Sequence, residues 1–222
     1  MISSRRLALV TTRGCGILGD VKARHLLPML FMLVLALSRI PGVLPQNFSA
    51  AYALAFCGGV YFRGAMAWWL PMGMLLVTDV LLNVFYYHQP VLDGYMLVKT
   101  LAFLGIIVLG KLFSPRMSWL KLTGGGLLGA VLFYLITNTA SWLHDPGYAK
   151  TLAGWIQALT TGLPGYPPTW EFFRNTLLSG GLFTGLFVGA MKLTAESPAD
   201  KKAGARDDEP QVEPEPEEAK VC

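Results

Sequence analysis

Six apolar stretches, joined by connections rich in glycine, proline or charge, constrain this chain more than any other feature. They run approximately from His25 to Ile40, Phe48 to Phe62, Met66 to Tyr87, Gly94 to Phe113, Leu122 to Leu143 and Phe172 to Leu193. A helix needs about 20 apolar residues to cross a hydrocarbon core of roughly 30 Å, and shorter ones suffice where a bundle shields their ends. The expected fold is therefore all-α: a polytopic membrane protein built as a six-transmembrane-helix bundle. The first two runs are short, and the linker Pro41-Gly-Val-Leu-Pro-Gln-Asn47 carries no charge. Irregular backbone at membrane depth is tolerated only where protein or a water-filled cavity surrounds it.

Charge sets the orientation. Arg5, Arg6, Arg13, Lys22, Arg24, Arg63, Lys111, Arg116, Lys121 and Lys192 collect on one side of such a bundle, and the opposite loops hold only Lys150. Bases concentrate on the cytoplasmic side, so both termini are expected inside, which requires an even number of crossings. Residues 1–24 read as a basic cytoplasmic segment and residues 25–193 as the transmembrane domain. Residues 194–222, with nine acids, four bases and a Glu-Pro-Glu-Pro-Glu-Glu run at 213–218, read as a disordered cytoplasmic tail. The basic N-terminus also fits a signal peptide, but its length and the interruptions at Arg39, Pro41 and Pro45 favour a retained first helix. The expected location is the bacterial inner (plasma) membrane, with several crossings and the lipid bilayer as an obligatory partner.

Several function classes recede on the same reading. The chain is 53% hydrophobic and only 14% charged, and its bases flank apolar runs, where they suit anionic headgroups better than nucleic acid. Cys15, Cys57 and Cys222 have neither disulfide nor zinc spacing. No H-E-x-x-H, G-x-S-x-G or Walker A pattern is present, so no enzyme, metal site or cofactor is expected. Without a nucleotide loop, any active transport must draw on an ion gradient or a partner.

The candidate site lies where ionisable groups gather. Residues 21–193 contain only four acids, Asp79, Asp93, Asp145 and Glu171, all in the outer half or outer loops, and the boundary bases Arg39, Lys99 and Arg174 fall on the same side. A charge at a helix centre costs at least about 2.5 kcal/mol on insertion scales, so such groups face a partner or a wet cavity. Asp79 and Asn83 share one face of the third helix, and Tyr134, Asn138, Ser141 and Asp145 share one face of the fifth. Glu171, Arg174, Asn175 and Ser179 are expected on one broad face of the sixth. With Arg39 and Asn47 these stripes would enclose an outward-open pocket of mixed sign. Its expected solute-binding residues are Asp79, Asn83, Asn138, Arg174, Asn175, Arg39 and Asn47. The opposing reading makes Arg39, Arg174 and Glu171 snorkelling interfacial side chains and Asn138 a helix-packing contact.

Two further patterns stand out. Leu152, Trp155, Ile156 and Leu159 recur at helical spacing within an outer amphipathic segment at about residues 147–160, which either rests on the bilayer surface or covers a cavity. Gly181, Gly185 and Gly189, and likewise Ala51, Ala55 and Gly59, form flat ridges for close packing inside the chain or against another subunit.

The residues Pro45-Gln-Asn47-Phe-Ser-Ala50, Ala53-Leu-Ala55, Gly58-Gly-Val-Tyr-Phe62, Thr78-Asp79, Thr137-Asn138 with Trp142, and Phe173-Arg174-Asn175-Thr176-Leu177-Leu178 carry a resemblance. Over about residues 26–193 the chain resembles an uncharacterised family of six-helix bacterial membrane proteins regarded as candidate transporters. That family is similar in helical pattern to the S components of energy-coupling-factor vitamin importers. The resemblance implies capture of a small solute, vitamin- or nutrient-like, from outside, and docking to a transmembrane coupling subunit driven by ATPases. The chain departs from familiar S components in its long tail and in lacking an alanine-rich docking motif on the first helix. An alternative function is a non-catalytic accessory or scaffold subunit of a membrane complex.

Overall fold

The computed structural model describes residues 30–88, 90–91 and 94–195, and among these the regular elements are helices, with no strand. α1 covers residues 30–38. α2 is Ala51–Tyr61, and α3 is Met66–Leu82, prolonged by a π-helical turn over Asn83–Tyr87. α4 is Gly94–Lys111, α5 Trp119–His144, α6 Leu152–Leu159 and α7 Thr169–Ala195. The expected basic segment 1–24, His25 at the head of the first run, Asp93, and the acidic tail beyond residue 195 lie outside the described residues.

Four helical segments, Met66–Tyr87, Gly94–Lys111, Trp119–His144 and Thr169–Leu193, are long and apolar enough to cross a membrane. Their outward faces carry large apolar side chains that water would not tolerate together. Trp69 is 77% exposed and Phe85 73%, and Leu101, Leu120 and Leu186 are also bare. The chain is thus a membrane protein, and these residues are its lipid-facing skin.

α2 is shorter still than the already short run expected over Phe48 to Phe62. With 11 residues it reaches only about 16 Å, roughly half a hydrocarbon core. It sits in the centre of the bundle, packed against α3, α4, α5 and α7, and ten of its residues are buried. A helix that is apolar all round belongs inside protein, and AYALAFCGGVY has small residues wherever a neighbour comes close. At its end, α2 meets α4 backbone to backbone. A β-carbon on Gly59 would land on the Ile107 carbonyl oxygen and lie 3.0 Å from Gly110 Cα, and one on Gly110 would land on the Phe56 carbonyl oxygen.

The rest of this half of the bundle is dry. Phe56, Leu75, Ile106, Ile107, Leu122 and Val188 are fully buried or nearly so, with Phe113 edge-on to Phe56. The glycine ridge of α7 is filled by α5. Gly181 faces Leu127, a β-carbon on Gly185 would lie 3.0 Å from the Trp119 ring, and Trp119 Nε1 donates to the Gly185 carbonyl at 2.9 Å. The ridge on α2 is likewise internal. Both ridges therefore serve packing within this chain.

The described part of α1 is tied to α2 through one hydroxyl. Ser38 Oγ donates to the Leu35 carbonyl at 2.8 Å and accepts from Ala50 N–H at 3.0 Å, at the N-terminus of α2. Ser38→Ala leaves that buried N–H without its partner. The substitution is expected to cost about 1–3 kcal/mol, read as a lowered thermal midpoint in detergent.

Candidate functional site

Residues 39–50 take the place of the further helical turns that α2 lacks at its N-terminal end. The first helix ends at residue 38, so Arg39 lies in the turn that follows instead of in a helix reaching Ile40. Asn47 adopts a left-handed backbone (φ 61°), which asparagine tolerates better than most residues. Its carbonyl accepts from Tyr52 Oη at 3.3 Å, and Asn175 Nδ2 donates to the Gln46 carbonyl at 3.0 Å. The loop is thereby strapped to α2 and α7 and forms one wall of a cavity of about 690 Å³. The other walls are the end of α3 with its π-helical turn, the start of α4, the last turns of α5 and the linker around Leu163 and Tyr166. A π-helical turn rotates the residues beyond it relative to a plain α-helix, and here Asn83, Tyr86 and Tyr87 all line the cavity.

Asp79 is the centre of the site. It stands eight residues before the end of the π-helical turn, about 12 Å along the axis, and its side chain is only 9% exposed. Arg39 Nη2 donates to one carboxylate oxygen, and Lys99 Nζ lies 3.4 Å from the other. Three elements thus converge: the loop after α1, α3 and α4. Two cations face one carboxylate, and the cluster has a formal charge of +1. Arg39 Nε is buried without a hydrogen-bond partner, and Lys99 also lies over the Tyr95 ring at 5.6 Å.

The polar stripe of α5 enters the cavity through Thr137, Asn138, Ser141 and Asp145. Much of its donor capacity returns to its own helix. Asn138 Nδ2 donates to the Tyr134 carbonyl at 2.8 Å, Thr137 Oγ1 to Phe133 at 2.9 Å and Ser141 Oγ to Thr137 at 3.1 Å. Beneath them Tyr52, Phe103 and Phe133 make a mutual aromatic cluster that forms part of the floor.

The segment after α5 is fixed as a roof beside the opening. Lys150 Nζ donates to the carbonyls of Trp142 and, at 2.6 Å, Asp145, capping the negative end of α5. Trp142 Nε1 donates to the Ala149 carbonyl at 2.8 Å, and Tyr134 Oη to the Leu159 carbonyl at 2.5 Å. Burial, aided by the nearby Asp145 carboxylate, raises the Tyr148 phenol above its ordinary pKa, so this cavity-lining hydroxyl stays protonated. α6 packs Gly154 and Ala158 against the bundle and leaves Leu152 and Ile156 outward. None of its residues lines the cavity, whereas Gly162, Leu163, Tyr166 and Pro167 of the linker do. The helix has the geometry of a surface-resting element, and any cover is the linker.

Five of the seven expected site residues, Arg39, Asn47, Asp79, Asn83 and Asn138, line this one cavity. Two do not. Arg174 is exposed, with its guanidinium 5.3 Å from the Trp170 ring one turn earlier. It is the interfacial kind of arginine, whose neighbour Asn175 lies about 100° around the helix. Asn175 is buried and acts as the strap to Gln46. Glu171, Arg174, Asn175 and Ser179 consequently share no single face: Ser179 is buried like Asn175 and Arg174 is not. Lys99 was legible as an embedded base but not as Asp79's second partner. Tyr87 was legible from its helical spacing with Asp79 and Asn83, and it lines the cavity, whereas the tyrosines at 86, 95 and 166 carried no signal beyond their nearness to helix ends.

Fold and site together define a helical membrane protein with a polar cavity at one end of an otherwise dry bundle. Over residues 20–202 the chain matches a family of unknown function, DUF6580, and it belongs to that family. No curated protein matches it. No solved structure matches it either.

Proposed function

We propose that this chain is the solute-binding component of a membrane transport system, crossing the bacterial inner membrane six times with both ends in the cytoplasm. Its cavity faces outward and captures a small polar, vitamin- or nutrient-like molecule. The reading rests on one observation above the others: a part-buried ion cluster, with Asp79 buried between Arg39 and Lys99, borders a cavity of about 690 Å³ instead of being packed in solid protein. That volume suits a small-molecule site, typically about 300–1,000 Å³, and ionisable groups at such depth mark solute pathways. The basic connections around Arg63 and Arg116 lie at the other end of the helices, which suits a cytoplasmic face there. On this proposal a transmembrane coupling subunit with ATPases, as the resemblance to S components implies, supplies the energy, with an ion gradient as the other source. No catalysis is proposed.

The test is to identify small molecules that co-purify with the gently solubilised full-length chain by mass spectrometry. A stoichiometric molecule is expected, and it should be lost from Asn83→Ala or Asn138→Ala protein whose thermal midpoint is unchanged. If no molecule is found and these variants differ from the parent only in stability, the polar residues serve packing. An accessory or scaffold role would then replace this reading.

A further inference from the structure

The charge at the deep end of the cavity restricts what it can hold. Asp79 has two carboxylate oxygens, one facing Arg39 and the other Lys99, so one negative charge is shared between two positive ones. All three side chains are largely withdrawn from solvent, and an uncompensated charge in such surroundings is costly. The N-terminus of α2 opens on the same space, since Ser49, Ala51 and Tyr52 line it, and the positive end of that helix dipole adds to the excess. The other charged residue of the lining, Asp145, stands just beyond the end of α5, seven residues past Asn138 or about 10 Å along the axis, at the rim. One more negative charge at the deep end would neutralise it, and two would reverse it.

The walls next to that charge are flat and aromatic. Tyr95, Lys99 and Phe103 follow one another at spacings of four along α4, so the ammonium is flanked above and below by rings on the same face. Phe133 meets Phe103 with centroids 4.7 Å apart and Tyr52 at 5.0 Å. A flat ring entering beside Lys99 would find offset or edge-on partners of this kind.

We infer that the cavity selects a monocarboxylate carrying a flat ring, with the carboxylate held between Lys99 and Arg39 and the ring against Tyr95, Phe103 and Phe133. The inference rests on the reading of the cavity as a solute site and names the chemical class it takes. Charge-assisted bonds to ammonium and guanidinium supply orientation, and the rings supply most of the buried area.

The experiment titrates the full-length protein in nanodiscs with benzoate, benzamide and benzylamine, three single-ring probes of similar size and three charges, followed by calorimetry. Benzoate is expected to bind at least about tenfold more tightly than either of the others. Lys99→Gln leaves Arg39 and Asp79 as a neutral pair, so benzoate should fall to the level of benzamide while benzamide itself is unchanged. Binding of benzamide or benzylamine as tight as that of benzoate overturns the inference and leaves the cavity a solute site. So does a co-purified molecule without a carboxylate. If no probe binds, a co-purified ring carboxylate upholds the inference, and the absence of any co-purified molecule removes both it and the proposed function.

Discussion

Asp79→Ala is expected to destabilise the protein by about 3–5 kcal/mol, because it deletes the shared anion and leaves Arg39 and Lys99 facing each other in a poorly solvated site. Lys99→Gln, which leaves a neutral pair behind, is expected to cost about 1 kcal/mol. Adding Lys99→Gln to Asp79→Ala should recover part of the loss, since one of the two opposed cations is then gone. Unfolding of the four proteins in detergent gives the coupling directly. A cost below about 1 kcal/mol for Asp79→Ala would mean that water reaches the cluster freely and that its charge does not govern the cavity.

The second large effect is expected at the crossing of α2 and α4. Gly59→Ala and Gly110→Ala each place a methyl group on a main-chain oxygen of the facing helix, and a backbone cannot swing aside as a side chain can. Overpacking of this kind costs about 3 kcal/mol or more where nothing can yield, so both variants should accumulate poorly in the membrane and melt early. Gly73 and Gly105 provide the contrast. A β-carbon there meets nothing within 4 Å, and alanine at either is expected to raise stability by about 0.5–1 kcal/mol through its better helix propensity. Equal behaviour of the two pairs would show that the helices can separate at no cost.

These cases mark where sequence reasoning reaches and where it stops. The long spans were legible because lipid demands length and apolarity, and Met66–Tyr87 coincides with the expected third run. The ionic role of Asp79 was legible because a lone acid at depth is costly, which forces a partner or water to exist without saying which. Lys99 as that partner depends on α3 lying beside α4, a fact of tertiary packing that periodicity does not contain. Arg174 and Asn175 show the same limit from the other side. Both lie in the first turns of one helix, and only the position of neighbouring elements decides that one is exposed beside Trp170 and the other bonds the loop at Gln46. The second run was legible as short, but the start of α2 at Ala51 was not, because Phe48 extends the apolar pattern ahead of the point where the helix begins.

That abbreviated central helix bears on how any cargo could leave. Below the aromatic floor, among the described residues, packed side chains surround a seam where two main chains touch. A swinging side chain cannot unlock such a seam, so in this conformation the chamber is a cul-de-sac. Delivery to the far side would require whole helices to slide or part, or the entire body to tilt.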